Sequence, residues 1–267
     1  VMITLCSIEC DRLRPFGAAK QHQLNVDFCR DFEEWSKVAK HIHIWDYLGE
    51  NHHFFYPMLN SANVWPNIKY FYDHGVRYMF AELDGMSYHS EFMELKAYLA
   101  AKAMWNPNRD MELFVDRFMN GYYGAAAPFV KKFWEMGRAV AAAAPVDTFK
   151  VSIYQTDNPQ LYKQEYLEES LRLWNQAEAA VKDDPACLYN VRFGKASVVR
   201  LLLDRMSGRA KSIWVTRHPE KWKAPDPQAA EYERFLLEVR DASLSRGQHL
   251  CFSNTPRRNA RAYERWR

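Results

Sequence analysis

Three carboxylates stand where a short apolar run gives way to polar residues: Glu9 after residues 3–8, Asp46 near the end of 41–47, and Glu82 at the end of 76–82. Glycoside hydrolysis needs two carboxyl groups facing the scissile bond, one protonated to help the leaving group and one ionised to act on water or on the anomeric carbon. Three carboxylates at three strand ends meet that requirement, so Glu9, Asp46 and Glu82 are the candidate acid/base residues. Each also has a structural reading, in which it caps the next helix or pairs with Arg12, Arg14 or Arg77. Strand alternation separates the three further. Glu9 is in phase with Leu5 and Ser7, and Glu82 with Tyr78 and Phe80, but Asp46 is in phase with Ile42 and Ile44 rather than with His43, Trp45 and Tyr47. Either the isoleucines face the interior of a barrel, or Tyr47 does and Asp46 is structural.

Trp45 and Tyr47 flank Asp46, and residues 51–56 follow with the sequence Asn-His-His-Phe-Phe-Tyr. Aromatic faces stack on pyranose rings and imidazoles hydrogen-bond hydroxyls, which makes Trp45, Tyr47, His52 and His53 candidate substrate-positioning residues. The alternative for the loop is packing under neighbouring helices. His41 and His43 lie on one face of a strand, as paired metal ligands do, but no third ligand sits at a known spacing, and no metal site is expected. No Gly-rich phosphate loop follows any strand, so no nucleotide cofactor is expected. A GxSxG motif is absent, and Cys10 has no paired base. The five cysteines are an odd number without a CxxC pair, which indicates neither a disulfide framework nor zinc.

These groups need a scaffold. The three apolar runs read as strands about 35 residues apart, separated first by a helical pattern through Phe28, Phe32, Trp35 and Val38, then by one through residues 68–72 closed by Gly75. Strand-helix-strand-helix-strand at that spacing fits parallel strands, and a parallel α/β barrel brings catalytic groups to the C-terminal ends of its strands. Three strands alone do not close a barrel. From about residue 90 the period is helical: Phe92, Leu95 and Leu99; Met111, Phe114 and Phe118; Phe129, Phe133, Met136 and Val140. Residues 157–159 are expected to open a long helix through Leu167, Leu171, Trp174 and Val181, and another carries Leu188, Val191, Val198 and Leu202. Residues 218–227, with three prolines, read as a linker before a helix with Phe235, Leu236 and Val239, and 256–267 as an arginine-rich solvated tail.

The chain of 267 residues has 48% hydrophobic and 26% charged residues, an ordinary balance for a globular protein, with no apolar run long enough for a membrane helix. Thirty-six basic against 33 acidic residues leave a formal charge of +3, which gives no electrostatic case for a nucleic-acid partner. Aromatic content is 15%, enough to supply both core and stacking platforms. The first residue is Val and no basic n-region with a cleavage site follows, so the chain reads as a fragment or mature segment whose N-terminus lies elsewhere.

Several short motifs in order carry a resemblance: Cys6-Ser-Ile-Glu-Cys-Asp-Arg-Leu-Arg-Pro-Phe16; Phe32, Trp35 and Lys37; Ile44-Trp-Asp-Tyr47; Gly75-Val76; Leu95, Tyr98, Lys102 and Trp105-Asn-Pro107; and Tyr122-Tyr-Gly124. Over roughly residues 3–140 the chain resembles the bacterial domain-of-unknown-function 4838 family, whose members are similar to family 67 α-glucuronidases. The resemblance implies the last strands and helices of a TIM-type barrel (residues 1–105), a C-terminal helical domain (106–250) and a basic tail (251–267). It also implies a large, usually exported polysaccharide-degrading protein. In those α-glucuronidases a Glu is the general acid, while an Asp and a Glu on later strands activate water with inversion. Asp46 and Glu82 match that pair in order; Glu9 stands in for the acid at a different spacing. The expected function is therefore glycoside-hydrolase-like chemistry on a polysaccharide, with uronic-acid-containing glycans among the substrates. The alternatives are a non-catalytic carbohydrate-binding module and a helical scaffold or interaction module.

Overall fold

The computed structural model describes residues 2–49, 56–83, 91–146, 150–153, 158, 160–207 and 227–248. Three parallel strands, β1 (Met2–Cys6), β2 (His41–Tyr47) and β3 (Tyr78–Glu82), form a sheet in the order β1-β2-β3. β1 pairs with β2 from Met2↔His41 to Cys6↔Trp45, and β2 with β3 from His43↔Tyr78 to Tyr47↔Glu82. The connections are helical, α1 (Gln23–Val38) and α2 (Val64–Asp73). α1 starts where His22 accepts from the Leu24 amide, and the chain leaves α2 through Gly75 at φ +88°.

Alternation decides which sheet face is covered. Ile42, Ile44 and Asp46 are buried, and Ile42 and Ile44 pack with Phe32 of α1, Phe71 of α2 and Phe16 in a compact cluster. Within it Phe32 and Phe71 meet edge to face at 5.4 Å. The other face carries His41, His43 and Trp45, beside Met2, Thr4 and Cys6 on β1 and Tyr78 and Phe80 on β3. It has no covering layer among the described residues: Met2 is 52% exposed, Tyr78 51% and Phe80 47%.

After the sheet the chain is helical: α3 (Met93–Trp105), α4 (Met111–Tyr123), α5 (Ala127–Ala143), α6 (Gln164–Ala180), α7 (Pro185–Ser207) and α8 (Pro227–Leu244). α4 is capped by Asp110, whose side chain accepts from the Glu112 amide. One continuous core extends from Leu13, Tyr47 and Leu48 through Leu99, Phe133 and Trp174 to Val239. The loop after β2 contributes to it, with Leu59 beside Gly137 of α5 and the Tyr56 hydroxyl donating to Asp204 of α7.

The architecture is thus α/β and dominated by helices, with a small parallel sheet. Among the described residues the sheet is open, not closed into a barrel. Several boundaries also differ from the periodicity, among them the start of β3, which is Tyr78 rather than 76. β1 ends at Cys6, since a turn closed by the Cys10 amide on the Ser7 carbonyl (3.0 Å) takes the chain out of the sheet before Glu9. α6 begins at Gln164 rather than near 158, because Asn158 turns the chain, its side chain accepting from the Gln160 amide at 3.0 Å. The linker at 218–226 and the tail at 251–267 lie outside the described residues.

Candidate functional site

The segment after β1 is a polar hub. The Asp11 side chain accepts from the Val151 amide (2.9 Å), and the Asp11 amide donates to Asn25 Oδ1 (2.7 Å). The Arg12 amide donates to the Val151 carbonyl, while Asn63 donates to the Arg12 carbonyl. Arg14 donates to the Ala144 carbonyl. Sheet, α1, α2 and the segment after α5 are all tied to these few residues. Burial pushes the Asp11 carboxyl above the usual aspartate range, opposed by the backbone donors. It pushes the Cys10 thiol up to about 12, which leaves that sulfur protonated and unreactive at neutral pH.

Asp46 belongs to this hub. It is fully buried, and its Oδ1 accepts from Ser7 Oγ (2.5 Å), Arg12 Nη1 (3.0 Å) and the Tyr47 amide (3.0 Å). Arg12 is buried as well and donates to the Ser7 carbonyl, so the pair joins the end of β1 to β2. Glu9 stands in the turn after β1 with an 81% exposed side chain, 4.0 Å from Lys150.

Glu82 is placed differently. As the last residue of β3 it lies opposite Tyr47 in the ladder and on the open face, half-buried. Trp45 Nε1 donates to Glu82 Oε2 at 2.7 Å. The indole stacks on the Tyr47 ring at 6.1 Å and 15°, and Phe80 closes on it edge-on at 5.2 Å. Arg12 lies 5.8 Å from the Tyr47 ring centroid, and Cys6 Sγ reaches the Tyr47 hydroxyl at 3.7 Å. Further down the face Thr4 and His43 share a hydrogen bond of 3.3 Å. Three of the five described candidates, Trp45, Tyr47 and Glu82, therefore form one constellation at the C-terminal end of the sheet. Glu9 and Asp46 are not part of it, and His52 and His53 lie outside the described residues.

The chain belongs to the DUF4838 family. The description of that family is Domain of unknown function (DUF4838), and its match covers residues 1–135, hence all three strands and α1 to α4. No curated protein and no solved structure matches the chain. Within this DUF4838 chain no group of three potential metal ligands occurs among the described residues, and no described helix is long and apolar enough to cross a membrane. An open groove of about 550 Å³ beside Trp65, Tyr70 and Arg109 contains none of the candidate residues.

Ser7 and Arg12, which hold Asp46, and Tyr78 and Phe80, which extend the aromatic face, went unselected as site residues by sequence reasoning. For Phe80 and Tyr78 the signal was present, since they share the phase of Glu82. Arg12 was among the three arginines expected to pair with a strand-end carboxylate; that it takes Asp46, 34 positions away, is decided by the parallel ladder.

Proposed function

We propose that this protein recognises carbohydrate on the open face of its sheet and that the face is one wall of a glycoside-hydrolase-type site. The observation that carries the reading is the meeting of Trp45, Tyr47 and Glu82 at the strand ends, with the indole N–H on the carboxylate. An aromatic platform beside a carboxylate supplies the two things a pyranose binds: a flat C–H-bearing face to stack and hydroxyls to donate. In this reading the sheet is the last part of a TIM-type barrel, the uncovered face is its interior, and Glu82 is the carboxylate this chain brings to acid/base chemistry. Asp46 is the carboxylate that ties β2 to the segment after β1. Similarity to α-glucuronidases and an exported, polysaccharide-degrading role are consistent with this reading and belong to it as proposals.

Calorimetric titration with a panel of plant oligosaccharides tests the binding. Trp45→Ala should weaken it by about tenfold or more, on the scale of a lost aromatic stacking contact of about 1–3 kcal/mol. Glu82→Gln should leave binding within a few-fold while abolishing any turnover. Full turnover in Glu82→Gln would remove that residue from the chemistry.

A second reading, binding without hydrolysis, is favoured by one specific observation. Hydrolysis takes two carboxyl groups, and of the three candidates only Glu82 stands on the platform. Binding by the wild type without product release would decide for it.

A further inference from the structure

We infer that Arg12 is a positioning residue for the carbohydrate platform, acting on the exposed Trp45 indole through the Tyr47 ring. The inference rests on the carbohydrate reading above and adds what holds the platform in place. Of the two stacked rings Trp45 is 37% exposed and Tyr47 only 9%. A sugar laid on the face therefore meets the indole, and Tyr47 is the ring that steadies it.

Tyr47 is itself held at two points by one buried ion pair. Its amide donates to Asp46 Oδ1 at 3.0 Å, the same oxygen that accepts from Arg12 Nη1 at 3.0 Å. Its ring centroid lies 5.8 Å from the Arg12 guanidinium, within the range over which a cation is attracted to a π face. That attraction grows as the cation loses water, and the Arg12 side chain is buried. The guanidinium is fixed in turn: Nη1 also donates to Ser7 Oγ at 3.2 Å and Nη2 to the Ser7 carbonyl. Contacts thus run in series from Ser7 and Asp46 to Arg12, to Tyr47, to Trp45 and on to Glu82, whose Oε2 accepts the indole N–H at 2.7 Å. A planar guanidinium holds a carboxylate and a carbonyl and keeps a fixed plane beside a ring; a lysine ammonium is a point charge on a flexible stem. Arg12→Lys therefore keeps a cation for Asp46 and gives up the support of Tyr47.

That variant tests the inference by two readouts in the full chain. The first needs no ligand. In isotope-labelled protein the Trp45 indole N–H resonance, assigned by its loss in Trp45→Phe, should shift in Arg12→Lys and its proton should exchange faster with water. The second is calorimetric titration with xylo-, cello- and glucuronoxylo-oligosaccharides. Affinity should fall roughly three- to tenfold, the scale of a partly desolvated cation–π contact. In a Tyr47→Leu background the same change should cost nothing further, because the ring through which it acts is gone. A folded Arg12→Lys with an unmoved indole resonance and wild-type affinity would overturn the inference and leave the carbohydrate site standing. Losses that multiply independently in the double variant would overturn it as well. Should Arg12→Lys fail to fold, Tyr47→Leu reads the contact from the other side: the Arg12 Nε–H resonance should move, and its staying in place would sink the inference. Binding of no oligosaccharide by the wild type would remove the carbohydrate reading and the role of Arg12 in it together.

Discussion

Asp46 and Glu82 are both carboxylates at the ends of adjacent strands, and their environments give them opposite tasks. Asp46 is sealed with Arg12 under the sheet, where each charge is acceptable only because the other is present. Removing one partner of such a pair leaves the other buried and uncompensated. Asp46→Asn is therefore expected to destabilise the fold by about 3–5 kcal/mol, read as a lowered urea midpoint. A variant as stable as wild type that has lost a glycan-directed activity would instead put Asp46 in the chemistry. Glu91 belongs to the structural kind too. Complete burial raises its carboxyl above the usual glutamate range, with Lys96 3.6 Å away pulling in the other direction. Glu82, half-buried, accepts instead from the Trp45 indole N–H.

Among the elements, β2 shows how one strand serves two purposes. Ile42 and Ile44 are buried against α1 and α2, His41, His43 and Trp45 lie on the open face, and Tyr47 is buried at the strand end, so a one-residue slip would bury His43 and Trp45 and expose two isoleucines. The helices are fixed with comparable closeness. Gly194 of α7 sits under the Trp174 indole of α6, and a Cβ there would come within 2.3 Å of the ring. Replacing a mid-helix glycine by alanine ordinarily stabilises by up to about 1 kcal/mol, but overpacking a filled core costs about 1–3 kcal/mol. Trp174 is fully buried, so the ring has to move within a filled core. Gly194→Ala should accordingly lower the thermal midpoint; a raised midpoint would show that α6 and α7 can separate cheaply.

At the scale of the whole molecule, a parallel sheet normally has both faces covered, and among the described residues helices cover one here. The uncovered side presents Trp45, Tyr78 and Phe80 between strand edges β1 and β3 that pair with nothing further among the described residues. Apolar rings on an open sheet with free edges are a template for association. By itself this chain should self-associate as its concentration rises, and Phe80→Lys should shift it toward monomer in sedimentation velocity. A mass independent of concentration in the wild type would mean that the face is tolerated in water as it stands.

Local pattern was enough for the three strands, the intervening helices and the succession of helices after residue 90, because periods of 2 and 3.6 are written directly into the residue order. It was enough as well for the phase difference between Asp46 and its neighbours, and it left open which phase faced inward. That choice depends on where α1 and α2 come to rest, which is a matter of long-range packing by Phe32 and Phe71 against Ile42 and Ile44. The same dependence separates Glu9 from the strand end: a turn locked by Ser7 and Cys10 removes it from the sheet, whereas alternation alone would continue the strand. The sequence by itself determined the elements and the chemistry available at their ends. Only the tertiary structure decided that Asp46 meets Arg12 under the sheet and that Glu82 meets Trp45 above it, because both meetings join residues more than 30 positions apart through the register of the ladder.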